Sequence, residues 1–189
     1  MATVITPTAI NLITGEEFAR MDVPDYYELV RGRIVPMPPP NYTHGSVESN
    51  IHGHVFVFLQ ANPGGRLATG EVGLYTGRNP DTVRGADFTF TTLERLAKRD
   101  KSLAYLDVAP DWITEVLSPS NTDVYIQDKL AEYFNIGVRM VWLVDPEARC
   151  VHVYRSLTDV RTFQEKDTIT GEDVLPGFSI QVAKFFENQ

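Results

Sequence analysis

The chain has 189 residues, of which 43% are hydrophobic and 11% are aromatic. This composition predicts one folded domain over residues 1–189, with a sizeable core, and excludes a disordered chain. The net charge of −8 lacks the basic excess that is usual for nucleic-acid-binding proteins.

Two features of the sequence bear on the cellular compartment. No apolar run approaches the roughly 20 residues that span a membrane, and residues 1–18 lack the charged start and apolar centre of a secretory signal. Cys150 is the only cysteine, so no disulfide can form within the chain. We therefore expect a cytoplasmic protein without a membrane partner, with residues 1–12 as a loose lead-in.

The first part of the chain carries the patterns of short elements. Thr14 and Glu17 have the spacing of a capping box, which predicts a short helix through about Met21. Residues 26–30 and 33–35 predict a β-hairpin, because they are apolar or β-favouring runs joined by a turn that contains glycine.

A long helix is predicted over residues 44–60. Its buried face repeats every four residues, at Val47, Ile51, Val55 and Leu59. Residues 67–75 then predict one or two short strands, because Gly70 and Gly73 interrupt the strand pattern.

The next strand carries the first candidate for chemistry. Residues 83–90 predict a strand in which Asp87 lies on the face opposite to that of three apolar residues, Ala86, Phe88 and Phe90. A short helix is predicted directly afterwards, over residues 92–99.

Residues 111–145 read as strand, turn, helix and strand. Residues 112–116 predict a buried strand in which Glu115 needs a partner, a proton or a metal ion, because a lone buried charge is costly. The following helix is predicted to be capped by one of three polar residues, Ser120, Asn121 or Asp123. Its buried seam is predicted at Ile126, Leu130 and Phe134, with Lys129 and Tyr133 in a second stripe. Gly137 is predicted to end the helix before a strand over residues 140–144.

The C-terminal part of the chain adds a second hairpin. Residues 150–155 and 160–164 alternate as antiparallel strands do, and residues 182–186 predict a terminal helix or turn. The core order is therefore helix, three strands, helix and strand, with a hairpin at each end. This order predicts an α/β fold with a mixed sheet.

The strongest candidate for chemistry is the set Asp87, Glu115 and Lys129. Acids on two neighbouring strands can share a Mg²⁺ or Mn²⁺ ion, which prefers oxygen ligands and keeps some of its water. A lysine beside them can stabilise developing negative charge or help to activate water. The same residues also allow a purely structural interpretation, in which the acids make buried hydrogen bonds and Lys129 pairs with Glu132 on its own helix.

Other polar residues are less specific. The four histidines lack the spacing of a zinc site, and the chain has no phosphate-binding or dinucleotide-binding glycine motif, so no organic cofactor is expected. His44 can contact a phosphate or an active-site carboxylate, or it can have a surface or capping role. Glu28 either pairs with Arg31 or Arg33 or turns towards the two acids.

Several motifs occur together in the chain, at residues 27–35, 44–45, 83–88, 115–120, 129–133, 137–139, 142–146 and 175–178. On these motifs the chain resembles the Uma-type restriction endonuclease family, within the PD-(D/E)XK nuclease superfamily. The resemblance covers residues 14–186. It implies a restriction-endonuclease-like core and a metal-dependent phosphodiesterase activity.

The resemblance also implies roles for single residues. Asp87 corresponds to the motif aspartate and Glu115 to the motif glutamate, and both would bind metal. Ala86 stands where the superfamily has proline, and Leu117 stands where it has lysine. In this family the lysine has moved onto the following helix, which makes it Lys129 here.

The favoured prediction is a Mg²⁺- or Mn²⁺-dependent endonuclease that cuts DNA. Glu28 and His44 also match family positions and are possible additional site residues. A homodimer is expected, because one small acidic domain offers little surface for a duplex. Two alternatives stay open: a catalytically inactive nuclease fold that binds DNA or protein, and a metal-dependent hydrolase of small phosphorylated substrates.

Overall fold

An eight-stranded mixed sheet with a helix on each face is the framework of the protein. The structure, a computed structural model, describes residues 11–22 and 26–187, so the predicted lead-in lies almost entirely outside the described residues. The helices in this part are α1 (Gly15–Phe18), α2 (Tyr42–Ala61), α3 (Leu93–Leu96) and α4 (Asp123–Ile136), followed by a terminal 3₁₀ turn (Val182–Phe186). The strands are β1 (Tyr27–Val30), β2 (Arg33–Pro36), β3 (Gly65–Gly77), β4 (Thr82–Thr92), β5 (Trp112–Val116), β6 (Met140–Asp145), β7 (Cys150–Tyr154), β8 (Val160–Gln164), β9 (Thr168–Thr170) and β10 (Ser179–Gln181).

The strand order confirms the predicted fold class. The main sheet runs β2-β1-β4-β5-β6-β7-β8, β3 also pairs with β4, and β9 and β10 form a small separate sheet. Strands β5 and β6 pair in parallel, and the other pairs of the described residues are antiparallel. The predicted core corresponds to α2, β3, β4, β5, α4 and β6, and the predicted hairpins are β1–β2 and β7–β8. No helix in residues 11–22 and 26–187 is long and apolar enough to cross a membrane.

Strand β4 has two different neighbours along one edge. Strand β3 follows β4 along most of its length, which leaves the opposite edge for β1 and β5. On that edge, β1 pairs with β4 at Val83, and β5 pairs with β4 from Phe88 to Phe90. Residues 84–87 lie between these two ladders and have no strand partner on this edge. The sheet therefore contains a gap beside the middle of β4.

The two long helices cover opposite faces of the sheet. The apolar face of α2 packs on Trp112 and Trp142, whose ring centroids are 4.2 Å apart, and on other residues of the larger core cluster. The apolar face of α4 packs on Ile113 and Val141 in a second cluster. Because Trp112 and Ile113 are neighbours in one strand, their side chains point to opposite faces. Both faces of the central strands are thus buried.

Several predicted boundaries are wrong by a few residues. Helix α4 is capped by the Thr122 hydroxyl and not by Ser120, Asn121 or Asp123, because Asn121 instead accepts a hydrogen bond from the Ser118 N–H and closes the preceding turn. Helix α2 starts at Tyr42 because the Asn41 side chain caps it, two residues before the predicted start. Helix α1 keeps the predicted capping box but ends at Phe18.

Two predictions of side-chain burial also need correction. Phe134 is only partly buried, and Tyr133 takes its place in the buried seam of α4. Ala86 packs in the α4 cluster and not with Phe88 and Phe90, which belong to the α2 cluster. Residues 67–75, predicted as one or two short strands, belong to one strand, β3, which continues through a bulge between Thr69 and Val72.

The two glycines Gly53 and Gly137 provide a test of this backbone description. Gly137 ends α4 with φ 98°, a conformation that costs other residues about 1–2 kcal/mol, so Gly137→Ala should lower the free energy of unfolding by about that amount. Gly53 lies on the exposed side of α2 with open space where the methyl group of an alanine would stand, so Gly53→Ala should raise it by up to about 1 kcal/mol. Urea unfolding of both variants measures the sign of each change in the free energy of unfolding. Equal effects of both substitutions would contradict the assigned backbone conformations.

Candidate active site

The gap beside β4 brings the predicted site residues together. Backbone groups in the gap lack strand partners, so side chains satisfy them instead. The Gly85 N–H donates to Glu28 Oε1 at 3.0 Å, and the Gly85 carbonyl accepts from Lys129 Nζ at 2.8 Å. The Val116 N–H donates to Asp87 Oδ2 at 2.6 Å, just beyond the last paired residues of β4 and β5.

Asp87 is buried and pairs with His44 from the first turn of α2. The distance from His44 Nε2 to Asp87 Oδ2 is 3.0 Å. Although burial of the ring disfavours its charged form, the hydrogen bond and the negative charge of Asp87 raise the pKa of His44 above its usual value. His44 Nδ1 is buried and has no hydrogen-bond partner within the described residues. His44 is therefore buried against the Asp87 carboxylate and is not a surface residue.

Glu115 is held by two donors from α4. Its Oε2 accepts from Lys129 Nζ at 2.7 Å, and its Oε1 accepts from the Tyr133 hydroxyl at 2.6 Å. Burial raises the pKa of Glu115 to about 8, Lys129 opposes this shift, and the Asp87 carboxylate adds to it. The carboxyl group is thus fixed in position, with a second acid close enough to disfavour its charge.

Lys129 is the only lysine among the described residues that is buried. Burial disfavours its charge, but Glu115 and the neighbouring tyrosines and Glu28 raise the pKa of Lys129 well above its usual value. Its partner is Glu115 and not Glu132, which instead binds Arg84 with two hydrogen bonds of 2.7 Å. The Lys129 ammonium group therefore reaches Glu115 from the helix that follows β5.

Glu28 turns towards the site and away from Arg31 and Arg33. Its Oε2 accepts from Arg84 Nη1 at 2.8 Å and from the Tyr125 hydroxyl at 3.0 Å. Its Oε1 lies 3.7 Å from Lys129 Nζ. Glu28 therefore contacts Lys129 and the Gly85 N–H of β4. It does not line the cavity between Asp87 and Glu115.

Two further acids at the site were not predicted from the sequence. Glu71 lies in the β3 bulge opposite Asp87, with φ 57°, next to Gly70 with φ 83°. Glu48 on α2 accepts hydrogen bonds from the Gly70 N–H at 2.8 Å and from the Thr69 hydroxyl. The pKa of Glu71 is raised to about 7, because its carboxyl group is buried and lies near the charge of Asp87.

A sequence signal for Glu71 existed. A glycine inside a strand pattern often marks a bulge, and Gly70 directly precedes the acid. The glycine at position 85 completes the arrangement, because a methyl group there would come within 2.4 Å of Glu71 Oε2. Tyr125 could also have been found, since it lies four residues before Lys129 on the same face of α4.

A small cavity of about 40 Å³ joins these groups. Its walls include four of the charged residues named above, Asp87, Glu115, Glu71 and Lys129, together with His44. This volume exceeds the roughly 10–15 Å³ that one water needs, and carboxylate oxygens are the ligands that Mg²⁺ prefers. The residues fit a divalent cation that takes its remaining ligands from water or substrate. Within the described residues, no three His, Cys, Asp or Glu side chains already form a ligand set.

Comparison with known proteins gives the family. The model of the Uma2 family, described as putative restriction endonuclease, matches residues 16–183. The chain belongs to the Uma2 family. No functionally curated protein matches this Uma2 chain in sequence.

A solved structure supports the fold of this Uma2 protein. It is a putative nuclease belonging to DUF820 from Anabaena variabilis, with a TM-score of 0.75. The two sequences are 22% identical, and the match covers 92% of this chain and 97% of the other. The similarity establishes a shared nuclease-like fold.

The buried pair Glu115–Lys129 can be tested by a double-mutant cycle. Lys129→Met leaves Glu115 buried without its cation, so we expect a loss of about 3–5 kcal/mol in the free energy of unfolding. Adding Glu115→Gln to that variant should recover part of the loss, because the uncompensated charge is removed. The exposed pair Glu94–Lys98 is the matched control and should show almost no coupling. Additive losses at Glu115 and Lys129 would contradict a direct charge interaction.

Proposed function

We propose that this Uma2 protein is a divalent-metal-dependent endonuclease that hydrolyses phosphodiester bonds in DNA. The observation that carries the proposal is the placement of Asp87 and Glu115 where β4 and β5 separate, with the Lys129 ammonium 2.7 Å from Glu115. Two acids and a lysine around one small cavity are the groups that metal-assisted phosphodiester hydrolysis needs. Membership of a family described as putative restriction endonuclease supports the same reaction.

The charges of the site favour a bound cation. Burial and the charge of Asp87 raise the pKa values of both Glu71 and Glu115, so a cation in the cavity would relieve the repulsion and favour the charged forms of these acids. We propose Asp87 and Glu115 as the metal ligands and Glu71 as a third oxygen donor. A Mg²⁺ or Mn²⁺ ion bound there would polarise the scissile phosphate and its attacking water.

The protein side chains supply position and charge. In the hydrolysis, a water oxygen bonds to phosphorus, the bond from phosphorus to one sugar oxygen breaks, and a proton moves from the water to that oxygen. Lys129 Nζ offsets the negative charge that grows on the phosphoryl oxygens, or orients the attacking water. His44 holds Asp87 through the hydrogen bond from Nε2 and fixes the direction of its carboxylate.

Glu28 acts behind these groups as a positioning residue. Arg84 neutralises it, and it contacts Lys129, Tyr125 and the Gly85 N–H together. Loss of Glu28 would therefore move the ammonium group without removing a ligand. The DNA substrate, the homodimer and the cytoplasmic location remain predictions of the sequence, as does the single domain.

Metal binding can be measured without activity. We expect Mn²⁺ at a hundredfold excess over its dissociation constant to stabilise the wild-type protein by about 2.7 kcal/mol, because only the folded state binds it. Asp87→Asn and Glu115→Gln should each lose most of this stabilisation, while the exposed control Glu94→Gln should keep it. Thermal unfolding with and without Mn²⁺ gives the comparison. Full stabilisation of both site variants would rule out Asp87 and Glu115 as ligands.

Cleavage tests the reaction itself. Supercoiled plasmid at low salt with Mg²⁺ or Mn²⁺ should be nicked or linearised by the wild type, and the rate should fall at least about 100-fold in Asp87→Asn and Lys129→Met. Lys98→Met, an exposed lysine variant, should cut like the wild type. Cutting that survives in Lys129→Met would remove the role of Lys129 and keep the metal site. Failure of every protein to cut or bind metal would favour the inactive binding module.

A further inference from the structure

A second and larger cavity adjoins the active-site cavity. Its volume is about 330 Å³, within the range of roughly 300–1,000 Å³ that is typical of small-molecule sites. Three segments form it: the start of α2, the loop after β5 and the turn after β6. His44 and Ser118 line both cavities, so a group in the larger one lies next to the proposed cleavage site.

The walls of this second cavity combine apolar, polar and acidic residues. Leu117, Pro119 and Pro146 give apolar surface, and Asp145 and Glu147 give carboxylates. None of its lining residues is lysine or arginine. An anionic phosphate is therefore a poor occupant, whereas an apolar ring that carries N–H donors matches both the apolar and the acidic lining residues.

The two acids have free acceptor capacity. Asp145 Oδ1 accepts the N–H groups of Glu147 and Ala148, both at 2.9 Å, which fixes the turn. Asp145 Oδ2 and the Glu147 carboxylate make no hydrogen bond or ion pair with any residue in the ranges 11–22 and 26–187. The buried His44 Nδ1 also has no partner among those residues.

We propose that this cavity binds one unstacked nucleobase beside the cleaved phosphate and prefers bases with an exocyclic amino group. Carboxylates accept hydrogen bonds from such amino groups, as glutamate and aspartate do from N4 of cytosine. Apolar side chains flank extruded bases in enzymes that act on single nucleotides. Thymine has no amino group and would face Glu147 with carbonyl oxygens, so it is disfavoured.

The inference rests on the proposed nuclease function and deepens it, because it names a preference of the same site. His44 connects the two parts, because its Nε2 contacts Asp87 and the residue also lines the base cavity. An occupied base cavity therefore places the adjoining phosphate next to Asp87. Because a paired base cannot enter, single-stranded DNA should be cut faster than the same sequence in a duplex.

Nucleotide binding tests the cavity independently of cutting. Titration of the full chain with dCMP and dTMP, followed by amide NMR signals, should show saturable shifts at Thr43, Ser118 and Glu147 with dCMP. Binding of dTMP should be about tenfold weaker, in line with the usual value of one base contact. Equal binding of the two nucleotides, or shifts confined to other parts of the chain, would overturn the inference.

Cutting tests the preference in the reaction. Labelled single strands of thymidine with one central cytidine should be cut next to the cytidine about tenfold faster than elsewhere. Glu147→Gln should reduce this ratio towards one, because an amide can both donate to thymine and accept from cytosine. The matched control Glu94→Gln, an exposed acid on α3, should keep the wild-type ratio.

The outcomes separate the two proposals. Cutting without base preference, unchanged in Glu147→Gln, would overturn the base cavity and leave the nuclease intact. Selective dCMP binding without any cutting would support the base cavity and contradict the nuclease. Loss of cutting in Asp87→Asn with unchanged dCMP binding would support both assignments.

Discussion

The structure depends on an interruption in strand pairing that side chains complete. Between β1 and β5, the edge of β4 has no neighbouring strand, and bare backbone groups in a buried position are costly. Glu28, Lys129 and Asp87 supply the missing donors and acceptors. The gap in the centre of the sheet is therefore stabilised by charged side chains that bond its backbone groups. Two of the residues that satisfy these backbone groups, Asp87 and Lys129, are also candidates for the proposed reaction.

Burial makes this arrangement both expensive and rigid. Glu115 and Lys129 are each removed from water, and a buried pair of this kind stabilises little by itself but is very destabilising when broken. Each member is therefore held by further contacts, Tyr133 on one and the Gly85 carbonyl on the other. Such fixed groups need little rearrangement when charge develops on a bound phosphate, which is the condition for electrostatic catalysis.

The sequence predicts most of the fold but less of the site. Helical periodicity reveals α2 and α4, and short apolar or β-favouring runs reveal β5 and β6, which are buried on both faces. Glu71 is missed because its place depends on a bulge and on an alignment of β3 with β4 that no local pattern encodes. The cap of α4 is misplaced for a related reason, since Thr122 and Asn121 can both cap a helix and only the preceding turn decides between them. Residue identity thus predicts which groups are chemically capable, and long-range pairing decides which of them meet.

The pair of tryptophans in the main core has an optical consequence. Trp112 and Trp142 are the only two indoles in the chain, and both are fully buried with centroids 4.2 Å apart. Rings this close share excitation, so their emission and near-ultraviolet dichroism report on the packing of one small region. Neither ring lines the active-site cavity or the base cavity. The chain therefore carries an intrinsic spectroscopic probe of the packing of its interior, built from residues that line neither cavity.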